Sequence, residues 1–200
     1  VGDQTGGTSP AFKAIAVKNS NGFVFAGCDS GLYRSTNSGA SWTRVFSKQI
    51  RAIAITSTGK IYVGIEGVNA GDLTAGIYVS SDDGISWTQK VNGLFSLFVL
   101  SLEIKSDGTI LAGTSGSGVF RSTDGGESWL YAANYVNVAV QSITSSSSGS
   151  IYAATNQSIH QGVLRSNDNG NNWTKVNNGL SDLQANSIIF NPTNTHIFTG

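Results

Sequence analysis

The octet Ser80–Trp87, SSDDGISW, places two acids, a glycine and a tryptophan within eight residues. Nearly the same arrangement stands at Ser35–Trp42 (STNSGASW), Ser122–Trp129 (STDGGESW) and Ser166–Trp173 (SNDNGNNW). The closing tryptophans recur every 42 to 45 residues, a period shared by propeller blades and some helical arrays.

The flanking residues separate those two architectures. Before the octets come GLYRS (Gly31–Ser35), GIYVS (Gly76–Ser80), GVFRS (Gly118–Ser122) and GVLRS (Gly162–Ser166). Earlier still are FVFAG, IYVG, ILAG and IYAA, and before those FKAIAV, IRAIAI, VLSLEI and VQSIT. A fourth short run, such as SWTRV or NWTKV, ends each unit. All are short, β-branched or aromatic, and bounded by Gly, Asn, Asp and Ser, which is strand chemistry. Asn21-Gly22, Gly59 and Asp107-Gly108 supply hairpin turns between the first two runs. Each period therefore predicts a four-stranded antiparallel sheet whose second strand is apolar on both faces, as stacked sheets require. Radial stacking of such sheets is an all-β propeller.

The blades expected are 12–48, 49–93, 94–136 and 137–180, after an N-terminal segment 1–11. ANSIIF and HIFTG within 181–200 supply the first half of a fifth. The expectation is a piece of a longer propeller, since an unpaired blade edge is a liability. Completion by another subunit, or self-association through open edges, is the alternative. The lack of any Met, even at position 1, likewise points to a processed, excised or partial chain.

The motif S-x-D-x-G-x-x-W resembles the Asp-box, or BNR, repeat of sialidases, xyloglucanase-type glycosidases, sortilin-like receptors and photosystem-assembly factors. The likeness covers nearly the whole chain and is specific for fold, not for activity. It implies that each box turns between a blade's third and fourth strands, away from the active face. It also implies that the Asp binds amides of its own turn and that the Trp packs beneath. Thus Ser35, Asn37, Gly39 and Trp42, then Ser80, Asp82, Gly84 and Trp87, are read as structural. So are Ser122, Asp124, Gly126 and Trp129, with Ser166, Asp168, Gly170 and Trp173. The residues agree: Asp followed two positions later by Gly suits an Asx-type turn. Asn37 keeps the acceptor but loses the charge, which a turn tolerates and a catalytic acid does not. A calcium loop needs about six oxygens and usually a further bidentate acid, which no copy has. No metal or cofactor is expected.

Composition narrows the partners. Twelve basic and twelve acidic residues give a formal net charge of zero, and only 12% of positions are charged. Such a chain has no field to attract nucleic acid. The most apolar stretch, Phe95–Leu102, is too short to span a bilayer. A Ser/Asn/Thr/Gly-rich surface suits an extracellular, cell-surface or periplasmic protein. VNGL (Val91–Leu94) and VNNGL (Val176–Leu180) resemble linkers of secreted bacterial Asp-box arrays.

Candidate binding residues lie in the loops between second and third strands, which escape the consensus: Asp29, Glu66, Asp72, Asn156 and His160. Cys28, also there, reads as a small buried hydrophobe. Arg34, Arg121 and Arg165 share one blade position, so they cannot converge on one anion and are read as exposed strand arginines. Glu103, an acid in a first strand, could form a glycosidase-like carboxylate pair with Glu66; a solvated strand-end acid is the other reading. Asn156-Gln-Ser and Asn172-Trp-Thr match the N-glycan acceptor pattern. The function expected is a non-enzymatic scaffold for protein or glycan. The alternative is a glycoside hydrolase with part of its site outside this chain.

Overall fold

The computed structural model describes residues 11–67, 69, 71–132, 138–156 and 161–200, among which there is no helix. The first sheet contains β1 (Phe12–Lys18), β2 (Phe23–Cys28), β3 (Gly31–Ser35) and β4 (Thr43–Phe46). The second contains β5 (Ile50–Ile55), β6 (Ile61–Ile65), β7 (Gly76–Ser80) and β8 (Thr88–Gln89). The third contains β9 (Val99–Ile104), β10 (Ile110–Thr114), β11 (Val119–Ser122) and β12 (Leu130–Tyr131). The fourth contains β13 (Val140–Ser145), β14 (Ile151–Thr155), β15 (Val163–Ser166) and β16 (Thr174–Lys175). A two-stranded hairpin follows, β17 (Ile188–Phe190) with β18 (Ile197–Thr199). Every sheet is an antiparallel meander in sequence order. These are four complete blades and the first half of a fifth.

The core lies between blades rather than within them. Phe25 and Leu32 of the first blade cluster with Ile50, Ile61, Val63 and Ile65 of the second. Tyr62 and Ile77 then meet Val99, Ile110, Ala112 and Phe120 of the third. Leu111 and Val119 meet Val140, Ile143, Ile151 and Leu164 of the fourth, and Ala154 and Val163 meet Ala185 and Ile188. β6 and β10, with a blade on each side, are thus squeezed from both faces and buried at every residue.

That squeeze explains a glycine in the repeat. Gly27, Gly64 and Gly113 stand at one register position in β2, β6 and β10. A Cβ at Gly27 would meet Ile50 Cγ2 at 2.4 Å. At Gly64 and Gly113 it would meet Val99 Cγ1 and Val140 Cγ1, each at 2.7 Å. The missing side chain admits the next blade's first strand. On the chain's opening flank nothing described is stacked on β1, and Phe12, Ile15 and Val17 are exposed.

In a meander, alternate connections lie at opposite ends. The first-to-second hairpins and the box turns share one end of every blade, the box face. The second-to-third loops and the links between blades share the other.

Candidate binding face

The four boxes are built from the same bonds. A serine, 1% exposed in all four copies, accepts the glycine amide: Gly39 to Ser35, Gly84 to Ser80 and Gly126 to Ser122 at 2.8 Å, Gly170 to Ser166 at 2.9 Å. The serine hydroxyl donates in turn to Oδ1 of Asn37, Asp82, Asp124 or Asp168. That same oxygen accepts the amide four residues on, from Ser41, Ser86, Ser128 or Asn172, at 2.8–3.0 Å. Gly84 sits at φ +83°, so the repeated glycine satisfies a left-handed turn position. These bonds stabilise the ionised carboxylates. Asp82, with the Ser86 hydroxyl as the main cause, is lowered to about 2. Asp168, held chiefly by the Asn172 amide, is lowered to about 2, and Asp124, held chiefly by the Ser128 hydroxyl, is also well below the usual range. The oxygens a cation would need are committed to the turn.

The tryptophans reach further than their own turns. Trp87 stacks on Phe46 of the blade before it, with centroids 5.0 Å apart and planes 26° apart. Trp129 donates from Nε1 to the Lys90 carbonyl at 3.0 Å, again one blade back. Trp129 and Trp173 are each 3% exposed and Trp87 is half-buried, whereas Trp42 is 42% exposed.

The opposite face gathers Asp29, Glu66, Asp72 and Asn156; His160 lies outside the described residues. Asp29 accepts from Gln49 Nε2 at 3.0 Å. Glu66 pairs with Arg51 Nε at 3.2 Å. Asn156 donates from its side chain to Asn186 Oδ1. Cys28 is buried beneath, its sulfur 3.2 Å from Ser30 Oγ.

The loop 71–75 is heavily braced. Asp72 Oδ1 accepts the Thr74 amide at 2.9 Å and its hydroxyl at 2.6 Å. Gln89 Nε2 donates to both the Leu73 and Ala75 carbonyls at 2.8 Å. The Tyr78 hydroxyl donates to the Thr74 carbonyl at 3.0 Å, and Lys48 Nζ donates to Thr74 Oγ1. Burial, with Asp72 nearby, raises the Tyr78 phenol above its ordinary pKa and keeps it a donor. The product is a stiff loop that holds Leu73 79% exposed. Asp72 thus shapes the loop, and Leu73 is its outward contact. Sequence reasoning overlooked Leu73; the legible signal was the Asp-x-Thr pattern of an Asx turn.

Glu66 and Glu103 are not brought together. Ile65 pairs with Ile50 at one end of the second sheet, so Glu66 lies just beyond it. Glu103 pairs with Leu111, one residue short of the hairpin at the box face. Its Oε1 accepts the Ser145 amide at 2.9 Å and also the Ser145 hydroxyl, clamping β9 to β13. Burial raises its pKa, opposed by those two bonds. Glu103 is therefore no solvated strand-end acid. The arginines also differ from expectation: Arg34, Arg121 and Arg165 are half-buried, not exposed. Arg34 Nη1 donates to the Asp83 carbonyl in the next blade's box at 2.7 Å, because stacking brings that turn over its strand.

No family model and no curated protein matches the chain. Solved structures do. The extracellular domain of BT4673 from B. thetaiotaomicron superposes with TM-score 0.75 at 16% identity, over 99% of this chain and 27% of that one. An ancestral GH74 enzyme superposes with TM-score 0.70 at 24% identity, over 94% of this chain and 29% of that one. The fold is that of an Asp-box β-propeller. YCF48 bound to D1 peptide has the same fold, with TM-score 0.65 at 16% identity, over 95% of this chain and 60% of that one. The chain thus spans less than a third of the length of the first two relatives. The fold is common to an enzyme and to a peptide-bound protein, so it does not choose between activities.

Proposed function

We propose that this propeller is a non-enzymatic binding module that engages a protein segment on the face opposite the boxes. The observation that carries this is Leu73, a large apolar side chain held in solvent by a loop braced from Asp72, Gln89, Tyr78 and Lys48. A rigid apolar anchor loses little entropy on binding, which is what contact hot spots require. Asp29, Glu66 and Asn156, in the corresponding loops of three blades, would add polar contacts on the same face. A protein partner accords with the peptide-bound relative of the same fold. An extracellular or cell-surface setting accords with the sparsely charged, Ser/Asn/Thr-rich composition and with the extracellular domain among the relatives. No helix in the described residues is long and apolar enough to cross a membrane.

The hydrolase alternative rests on Glu103, a half-buried carboxyl held above its usual pKa, as suits a general acid. It has no second carboxylate beside it in Glu66, and its oxygen is occupied by Ser145.

A displayed random-peptide library selected on the chain tests both readings. Enriched peptides should lose at least about tenfold in affinity on Leu73→Asp, with Tm unchanged. Peptides that bind Leu73→Asp equally well would remove this face from the reading. Release of reducing sugar from xyloglucan by the chain, abolished by Glu103→Gln, would replace the binding module with the enzyme.

A further inference from the structure

Among the described residues away from the chain's two flanks, the face opposite the boxes exposes two large apolar side chains, Leu73 at 79% and Phe95 at 67%. Phe95 lies in the link between the second and third blades, residues 91–98 (VNGLFSLF), which holds no ionisable side chain. Its ring packs edge-on against Phe120 and Tyr131, with centroids 4.8 and 5.2 Å away. The link lies across the foot of the Leu73 loop. A Cβ at Gly76 would meet Val91 Cγ1 at 2.6 Å and Leu97 Cδ2 at 3.4 Å, and one at Gly67 would meet the Phe98 ring. Loop and link are therefore packed as one body that holds both side chains in place.

The same link leaves its backbone unengaged. In the third and fourth blades, the glycine that follows the second-to-third loop donates its amide to the next link. Gly118 bonds the Val138 carbonyl at 2.9 Å, and Gly162 bonds the Leu183 carbonyl at 3.2 Å. In the second blade Gly76 stands in the β6–β7 ladder opposite Ile65, and the corresponding carbonyl, that of Leu97, accepts nothing among the described residues. Nor does any other backbone group of Phe95, Ser96 or Leu97 make a hydrogen bond there. Three consecutive residues thus offer amides and carbonyls that need partners, directly beside an apolar ring. The Leu73 loop differs. Its Leu73, Thr74 and Ala75 carbonyls are taken by Gln89 and Tyr78, so it offers a side chain only.

We propose that the segment bound on this face is an extended, uncharged peptide that runs along residues 95–97. It hydrogen-bonds to the backbone there as an added strand does, and sets alternate apolar side chains against Phe95 and Leu73. This rests on the reading of Leu73 as an anchor and names the form of its partner. Strand addition draws affinity from main-chain bonds and specificity from alternate side chains. A helix spends its main-chain groups within itself and has none to give along its length. A charged ligand finds no counter-charge on the link, and the nearby cations are engaged, Lys48 by Thr74 and Arg51 by Glu66.

Peptides enriched from a random library on the 200-residue chain, remade synthetically, are the probes. Their apolar residues should recur at alternate positions rather than at helical spacing. Phe95→Ala should weaken binding at least about tenfold, and Phe95→Tyr should not. Methylating single backbone nitrogens of a probe should cost at least about tenfold on one alternating set of positions and little on the other. On the unmodified chain, amides within 95–97 should exchange at least about tenfold more slowly when a probe is bound. Added salt should leave the affinity unchanged. If Phe95→Ala lowers the Tm, the methylation and exchange measurements, which leave the chain intact, decide. Binding lost in Leu73→Asp but kept in Phe95→Ala, with the 95–97 amides unprotected, would overturn this inference and leave the protein-binding face standing. Binding untouched by Leu73→Asp would remove that reading as well. Helically spaced apolar residues, equal tolerance of methylation at every position, a strong loss of affinity in salt, or displacement of the probes by a xyloglucan oligosaccharide would each rule out the extended, uncharged peptide.

Discussion

The Tyr62 hydroxyl donates a 3.0 Å hydrogen bond to the carbonyl of Gly125, tying β6 of one blade to the box turn of the next. Tyr62 is 1% exposed, and burial is the main cause of its raised pKa, with Glu127 and Asp124 adding to it. The bond therefore survives to high pH and acts as a pin between blades. Tyr62→Phe keeps the ring over Gly126 and deletes only the donor, so it should cost about 1 kcal/mol. Thermal melts should show a fall of roughly 2–4 °C. An unchanged Tm would mean that ring packing alone holds this junction.

The two extreme tryptophans should respond unequally. Trp129→Ala removes a buried indole and its bond to the Lys90 carbonyl, at a cost of roughly 3–5 kcal/mol. Trp42→Ala removes an indole with no blade behind it among the described residues, and should cost less than about 1 kcal/mol. Denaturant midpoints for the pair check this directly. Similar losses would show that the tryptophan acts within its own turn rather than across the junction.

Acid should loosen the boxes in a defined window. The folded-state pKa of Asp82 and of Asp168 is lowered to about 2, below an unfolded value of about 3.9. A lowered carboxyl contributes stability that is complete above about pH 4 and is lost as pH falls toward about 2. Asp124 behaves in the same direction. Changing all three to Asn, the residue already at position 37, should remove much of the Tm loss between pH 4 and pH 2. Parallel melts across that range decide the matter, and an identical acid slope would show that other carboxylates carry it.

Glu103 predicts the opposite sign. Its pKa is raised, so its ionisation costs stability as pH climbs above the unfolded value of about 4.3. Glu103→Gln retains an oxygen for the Ser145 amide and hydroxyl without burying a charge. The variant should melt at least as high as wild type at pH 7, and gain more at pH 7 than at pH 4. A lower Tm at pH 7 would mean that the ionised form makes a compensating contact not seen in Ser145.

The local chemistry is legible in the sequence. Box turns, hairpin glycines and short β-branched runs act within about eight residues, so composition and spacing alone determine the strand set, the blade period and the serine–acid–glycine turn. The contacts that give those parts their meaning join residues 37 to 65 apart: Lys90 with Glu127, Tyr62 with Gly125, Lys18 with Asp83. What an arginine in a third strand bonds depends on which turn is stacked over it, as the Asp83 turn is over Arg34, and whether Glu103 is solvated depends on how closely β13 approaches β9. The same holds for Leu73, whose exposure follows from Lys48, Tyr78 and Gln89 converging on one loop from the neighbouring link and the sheet behind it. Local sequence determined each blade because strand and turn propensities are short-range. Only the tertiary structure decided what each blade buries, braces or presents, because that depends on the twist and spacing between sheets that carry nearly the same sequence.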